Sequence, residues 1–263
     1  MVRFDGVKDD MHVTRGPNEK NYQPFPRKGK LHDNSNLSLN ALREIFGSDG
    51  TDVYCYVVAS VTNEGGSFVQ RGSGPNFQGD MVTLCTCKHY MRTALSPTDW
   101  ESKWVAGFTG VGAGRGSNAL MFLTKVDRAF ESYHDLWYSE DIPADTKRAK
   151  SATLSSLGDL LEPIDELSDH FDHRGYHPPL DTHSHAPSNA WYGDVDRIGY
   201  GGRRAALLVG DPEHTFLWDR PRIFFSGSIG RGYRKIALNY LEAAPIGGQL
   251  FAHDNSQRDC TAF

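Results

Sequence analysis

The chain has 263 residues, a formal net charge of -5, 38% hydrophobic and 23% charged residues, 27 glycines and 13 prolines. That length supports a sizeable core, and the glycine and proline content places much of the chain in turns and long loops. The acidic balance excludes bulk electrostatic coating of duplex phosphate, and no stretch approaches the roughly 18 consecutive apolar residues of a spanning helix. The first thirty residues are polar, and four cysteines without an apolar export core predict reduced thiols in a cytoplasmic protein.

In chain order, residues 1–35 carry Arg3, Lys8, Arg15, Lys20, Arg27, Lys28 and Lys30 among prolines, without apolar periodicity. They predict an extended N-terminal arm, either loosely held or lying across a nucleic-acid groove. A single domain is expected over 36–250 and a tail over 251–263. Ser38 caps a short packing helix whose Leu39, Leu42, Ile45 and Phe46 share a face, with Gly47 as its stop. Asp52–Thr62 is the clearest strand, closed by the turn Asn63–Gly66, and Cys55 within it reads as a small buried hydrophobe. A loop, Ser67–Asp80, presents its backbone around Gly74, Pro75 and Asn76 and delivers the chain to a strand over 81–87.

Trp104–Phe108 and Ala119–Val126 predict two further strands. Between them Gly110–Asn118 has the glycine spacing of a phosphate cradle, but it runs from strand to strand rather than into a helix, so it reads as a hairpin loop with Arg115 at its tip. Arg128–Tyr138 spaces Phe130, Tyr133, Leu136 and Trp137 as one helical face. Residues 139–190 read as a lid-like or inserted segment, in which Leu154, Leu157, Leu160 and Leu161 hint at a helix ended by Pro163. After Trp191-Tyr192-Gly193-Asp194, a strand is expected at Arg203–Gly210, and the apolar triplets Phe216-Leu217-Trp218 and Ile223-Phe224-Phe225 flank Asp219-Arg220-Pro221-Arg222. A glycine-rich turn, Ser226–Gly232, then opens helical character over Tyr233–Ala243, an arrangement equally suited to a phosphate or to a plain loop. The elements define an α+β fold: one domain on a mixed or antiparallel, curved β-sheet with a few packing helices and long loops.

The chemistry concentrates at Met81–Arg92, where a β-branched run is followed by Cys85, Cys87, Lys88, His89 and Arg92. Cys85 and Cys87 are too close for paired metal-finger cysteines, and on a strand they would share one face. A nucleophilic thiolate there needs Lys88, His89 or Arg92 near enough to lower its pKa. Cations just past a buried strand meet either an anionic ligand or carboxylates such as Asp80, Asp99 or Glu101. Five of the eleven histidines fall in sixteen residues, at 170, 173, 177, 183 and 185, but their spacing matches no ligand pattern, so no metal is assigned. The stretch 197–235, with Arg197, Arg203, Arg204, Arg220, Arg222, Arg231, Arg234 and Lys235, is the best local basic patch and a candidate nucleic-acid contact.

Gly74-Pro75-Asn76, then Val82–Lys88 with Arg92, then Trp104-x-x-Gly107 and Phe130-x-x-Tyr133 together resemble the nucleotide-modification-associated domains, closest to the second type. These α+β proteins are encoded near phage and bacterial systems that hypermodify DNA bases. The resemblance covers about Asp52–Tyr138, and more weakly Asp181–Trp191 and Arg204–Phe225. It implies a protein acting on or binding a nucleotide or modified base in a bacterial or phage-infected cell. Cys87 and His89 are the candidate catalytic groups; Lys88, Arg92, Arg115, Asn76 and Trp104 are the candidate binding groups; no cofactor is indicated. The alternatives are a non-catalytic reader that accepts a modified base on Trp104, Tyr54 or Trp191, and a scaffold partner in a modification or defence complex.

Overall fold

The structure, a computed structural model, describes residues 22–46, 52–180, 189–230 and 232–243. The strands are β1 (Asp52–Val58), β2 (Val61–Glu64), β3 (Ser67–Gln70), β4 (Thr83–Leu84), β5 (Trp104–Thr109), β6 (Asn118–Phe130), β7 (Leu207–Leu217), β8 (Ile223–Phe225), β9 (Tyr233–Ala237) and β10 (Leu241–Ala243). The helices are α1 (Lys30–Asp33), α2 (Leu39–Phe46), α3 (His89–Arg92), α4 (Pro97–Trp100), α5 (Tyr133–Tyr138), α6 (Ala144–Lys150) and α7 (Tyr192–Val195).

The main sheet runs β10-β8-β6-β5-β1-β9, with β7 also on β6 and β4 on β7, while β2 and β3 form a separate hairpin. It is a mixed sheet, because β1 and β5 are parallel and the other pairings are antiparallel. β1 reads as a continuous apolar run because both of its faces are covered. Tyr54, Tyr56 and Val58 enter one core cluster, and Val53 and Cys55 enter the other. Between β5 and β6 the sheet leaves no room for a side chain at Gly107, where a Cβ would lie 2.1 Å from the Phe122 ring. Register shifts at Thr124/Val126 and Val126/Arg128 break the long β6 ladder against β7, as bulges do when a strand bends.

The strands at Trp104–Phe108 and Ala119–Val126 stand where expected, with the hairpin loop at 110–117 between them, whereas the run Asp52–Thr62 breaks at a turn into β1 and β2, and the strand expected at Arg203–Gly210 is β7, Leu207–Leu217. The differences come from tertiary packing. Residues 22–35 are not an extended arm: Gln23 is buried and donates to the carbonyls of Gly72 and Ser73, and Leu31 of α1 is fully buried. The strand expected over 81–87 pairs only at Thr83 and Leu84. Tyr233–Ala237 is a strand rather than a helix because the edge of β1 offers it a complete antiparallel ladder, which outranks the helical propensity of Arg234, Lys235 and Ala237. The glycine-rich turn before it therefore opens no helix. The aromatic stripe splits, with β6 continuing through Phe130 and α5 starting after Ser132, whose side chain accepts from the Asp135 N–H.

Residues 139–180, within the segment read as lid-like or inserted, form a layer packed on β7 and α5. Its Ala152, Leu160, Leu161 and Tyr176 share a cluster with Cys85, Tyr133 and Val209. The helix in it is α6, ahead of the leucines at 154–161, of which Leu154 and Leu157 lie in turns and Leu160 in a bridge to Ser151. Residues 1–21, Gly47, His183, His185, Arg231 and the tail 251–263 lie outside the described residues. No helix among those described is long and apolar enough to cross a membrane.

Candidate functional site

β4 ends at Leu84, so the pleat that would align Cys85 with Cys87 ends there too. Cys85 is fully buried in the cluster under the inserted layer. Its N–H donates to Asp159 and its carbonyl accepts from the Tyr133 hydroxyl. Cys87 and Lys88 follow in the left-handed region, at φ 58° and 47°. For residues other than glycine that conformation costs about 1–2 kcal/mol each, and two in succession persist only where surrounding contacts hold them. The hold is Arg92. Its Nε donates to the Cys87 carbonyl at 2.9 Å, and its Nη1 donates to the carbonyls of Ala205 and Ala206 at 3.2 and 2.8 Å.

Arg92 is 0% exposed. The sequence places it among phosphate-binding groups; the structure makes it the brace of the turn, with most of its guanidinium committed to backbone. The carboxylates expected as its partners are engaged elsewhere: Asp80 accepts from the N–H groups of Lys30 and Leu31, and Asp99 from the Ser96 hydroxyl. One end of Arg92 has no hydrogen bond within the described fold. Its Nη2, and the hydroxyl of the buried Tyr56 on β1, are buried polar atoms with no hydrogen-bond partner among the described residues.

Lys88 lies over the Tyr56 ring, its Nζ 5.2 Å from the centroid, in the geometry of a cation–π contact. Burial lowers its pKa, with Cys87 acting weakly the other way. His89 opens α3 and sets its Nε2 2.7 Å from Oδ1 of Asp194 on α7, a carboxylate that is 1% exposed. Burial lowers the His89 pKa more than Asp194 raises it, with Arg92 adding to the decrease. The imidazole is therefore neutral at pH 7. With a carboxylate facing Nε2, that nitrogen carries the proton and Nδ1 holds the free lone pair.

Cys87 is half-buried, and its pKa is raised, first by burial and then by Asp194, against the smaller opposing effects of Thr86, Arg92 and Lys88. It rests as a thiol, so the cations foreseen as activating it do not prevail. Iodoacetamide should accordingly label native Cys87 at pH 7 more slowly than a free cysteine peptide, while the buried Cys55 and Cys85 stay unlabelled until urea unfolds the chain. Mass spectrometry of the labelled peptides checks this, and labelling of Cys87 faster than the peptide would refute the raised pKa.

The other sequence candidates lie away from this turn. Asn76 is buried and structural: its amide donates to the Leu157 carbonyl, and its side-chain oxygen accepts from the Gln78 N–H and from Lys150. Trp104 packs on Phe46 and Phe216 in the cluster on the opposite face of the sheet. Arg115 lies by the β2–β3 turn near Gly66, beside a loop tied to that hairpin by the Asn63 amide on the Ala113 carbonyl. Trp191 is buried against Tyr192. Asp194 is the residue sequence reasoning missed; the Trp191-Tyr192-Gly193-Asp194 string was its only local signal.

Of the 197–235 cations, three are engaged within the fold. Arg204 lies over Phe171 and donates to the Val195 carbonyl, Arg220 pairs with Asp219, and Arg234 donates to the Ser228 carbonyl. Of the histidine run, His170 meets His134 and Asp135, with one ligand atom from each within 4.8 Å of the others. The His134 and His170 rings are stacked at 3.8 Å and 17°, and His134 Nε2 sits 3.1 Å from the Glu166 carbonyl. Stacked rings hold their ligand lone pairs in two nearly parallel planes, whereas two imidazoles on one tetrahedral ion each carry that ion in their own plane.

No protein-family model, curated protein or solved structure matches the chain. The chain is a single α+β domain whose candidate site is a braced left-handed turn between a short strand and a short helix.

Proposed function

We propose that this protein binds a nucleotide or a modified base at the Cys87–Arg92 turn and acts on it, with His89 Nδ1 as the proton acceptor and Asp194 fixing the imidazole. The observation that carries this reading is the pair of buried polar ends, the Tyr56 hydroxyl and Arg92 Nη2, that have no hydrogen-bond partner among the described residues. A buried donor left unpaired costs about 1–3 kcal/mol, and a polar ligand relieves that cost. Lys88 adds one positive charge where an anion would be held. The resemblance of residues 52–138 to nucleotide-modification-associated domains supplies the ligand class. A reader without turnover is the second reading, favoured by the protonated state of Cys87, since a reader needs no resting nucleophile.

Calorimetry and thermal shift with nucleotides and with oligonucleotides carrying modified bases test the binding. A ligand should raise the Tm, and Lys88→Ala should weaken it by about tenfold, the effect of one charge-assisted contact. If no member of the panel shifts the Tm, the reading fails. His89→Gln should keep binding and abolish any turnover of the bound ligand. Asp194→Asn removes the carboxylate that raises the His89 pKa, so the acid limb of the activity profile should move to lower pH. Unchanged turnover in both variants would refute His89 as the proton acceptor, and binding by the wild type without turnover would leave the reader.

A further inference from the structure

The edge of the sheet beside the turn presents tyrosines and lysines on one face. β9 is an outer strand of the main sheet, and its register sets Lys235 opposite Tyr54 and Tyr233 opposite Tyr56. Cross-strand partners point to the same face, so these four side chains stand together. The Tyr233 and Tyr54 rings stack at 5.9 Å and 27°, Lys235 Nζ sits 4.8 Å over Tyr54, and Lys88 covers Tyr56. From α3, Tyr90 reaches the same row, 5.6 Å from Tyr233, and remains 69% exposed. Cations on an outer strand are a common way to blunt an edge, which accounts for Lys235. It does not account for a large aromatic ring held in solvent by a second element and leaning on the same row.

We infer that the Tyr90–Tyr233 row, with Lys235 and Lys88 beside it, is a stacking surface for single-stranded nucleic acid flanking the base held at the Cys87–Arg92 turn. The inference rests on the proposed function for the class of ligand, and it adds how that ligand is presented. Aromatic faces accept any base by stacking, and adjacent lysines take the phosphates between bases. In an acidic chain such a row binds locally, without the bulk attraction that duplex coating needs.

Fluorescence anisotropy with labelled dT and rU oligonucleotides of about 12 nucleotides, a length spanning one such surface, tests it beside calorimetry with the matching mononucleotides. Tyr90→Ala should weaken oligonucleotide binding by about tenfold, Tyr90→Trp should restore it, and mononucleotide binding should be unchanged by either. Lys235→Ala should flatten the salt dependence by about 0.7 in log–log slope, the contribution of one single-strand phosphate. The dT and rU arms show whether the surface takes DNA, RNA or both. Oligonucleotides that bind no tighter than mononucleotides, or equally tightly to wild type and to Tyr90→Ala and Tyr233→Ala, overturn the inference and leave the turn's own reading standing. Oligonucleotide binding that depends on Tyr90 without mononucleotide binding does the reverse, and silence from both ligands overturns both.

Discussion

Lys150→Met is expected to destabilise the protein by about 3–5 kcal/mol in urea unfolding, the range for removing one member of a buried charged pair. Lys150 is fully buried and donates to the Asn76 carbonyl, the Asn76 side-chain oxygen and the Met81 carbonyl. It thereby ties α6 to both ends of the loop that enters β4. Asp159 is the matching anion, accepting from the Thr83 hydroxyl at 3.0 Å and the Cys85 N–H at 3.2 Å. Methionine fills similar volume, but it removes a donor from three acceptors, two of which keep the N–H groups of Gln78 and Thr83, and leaves an uncompensated carboxylate behind β4.

Because the two charges act on each other, the double variant Lys150→Met/Asp159→Leu should lose about 1–3 kcal/mol less than the sum of the single losses. Strict additivity would refute the coupling. The pH dependence has a definite sign. Burial lowers the Lys150 pKa from 10.5 to about 8, so between those values the unfolded chain binds the extra proton. This group therefore makes stability rise with pH across that window. Asp159, its pKa raised by burial, makes stability fall as pH rises from 3.8 toward its shifted value. Urea midpoints compared with those of Lys150→Met isolate the alkaline limb.

The second large effect is at Arg92. Arg92→Met should cost about 3–5 kcal/mol, because it removes the donors for the Cys87, Ala205 and Ala206 carbonyls and releases two residues held in the left-handed region. Arg92→Lys keeps the charge but not the planar fork, so it should recover only part of the loss. Lys88 has no such structural burden, and Lys88→Ala should leave the urea midpoint within about 0.5 kcal/mol of wild type. If Arg92→Met folds as stably as wild type and loses only ligand binding, Arg92 is a ligand group and the bracing role is wrong.

The candidate residues were legible where they are neighbours in the chain. Cys87, Lys88 and His89 stand out because a buried strand delivering a thiol, a cation and an imidazole is unusual in any sequence. Asp194 was not legible, because nothing in the spacing of an acidic residue far along the chain says which imidazole it will face. Asn76, Trp104 and Arg115 were drawn to the site by their motifs. The topology sends Trp104 to the opposite face of the sheet, Arg115 to the β2–β3 hairpin, and Asn76 into the loop scaffold held by Lys150.

Local composition determined the strands that bury both faces, such as β1, β5 and the first part of β6, and the hairpin between β5 and β6. In those segments side-chain burial and backbone preference agree, so a short window carries the answer. The Met81–Arg92 stretch also announced itself as the place where chemistry meets core. Tertiary structure decided the rest: whether Tyr233–Ala237 would be helix or strand, whether Arg92 would hold a ligand or a turn, and which carboxylate would meet His89. Each depends on partners distant in sequence, the unpaired edge of β1, the carbonyls of Ala205 and Ala206, and α7. A backbone hydrogen bond or a buried charge takes its energy from the partner that the fold brings to it.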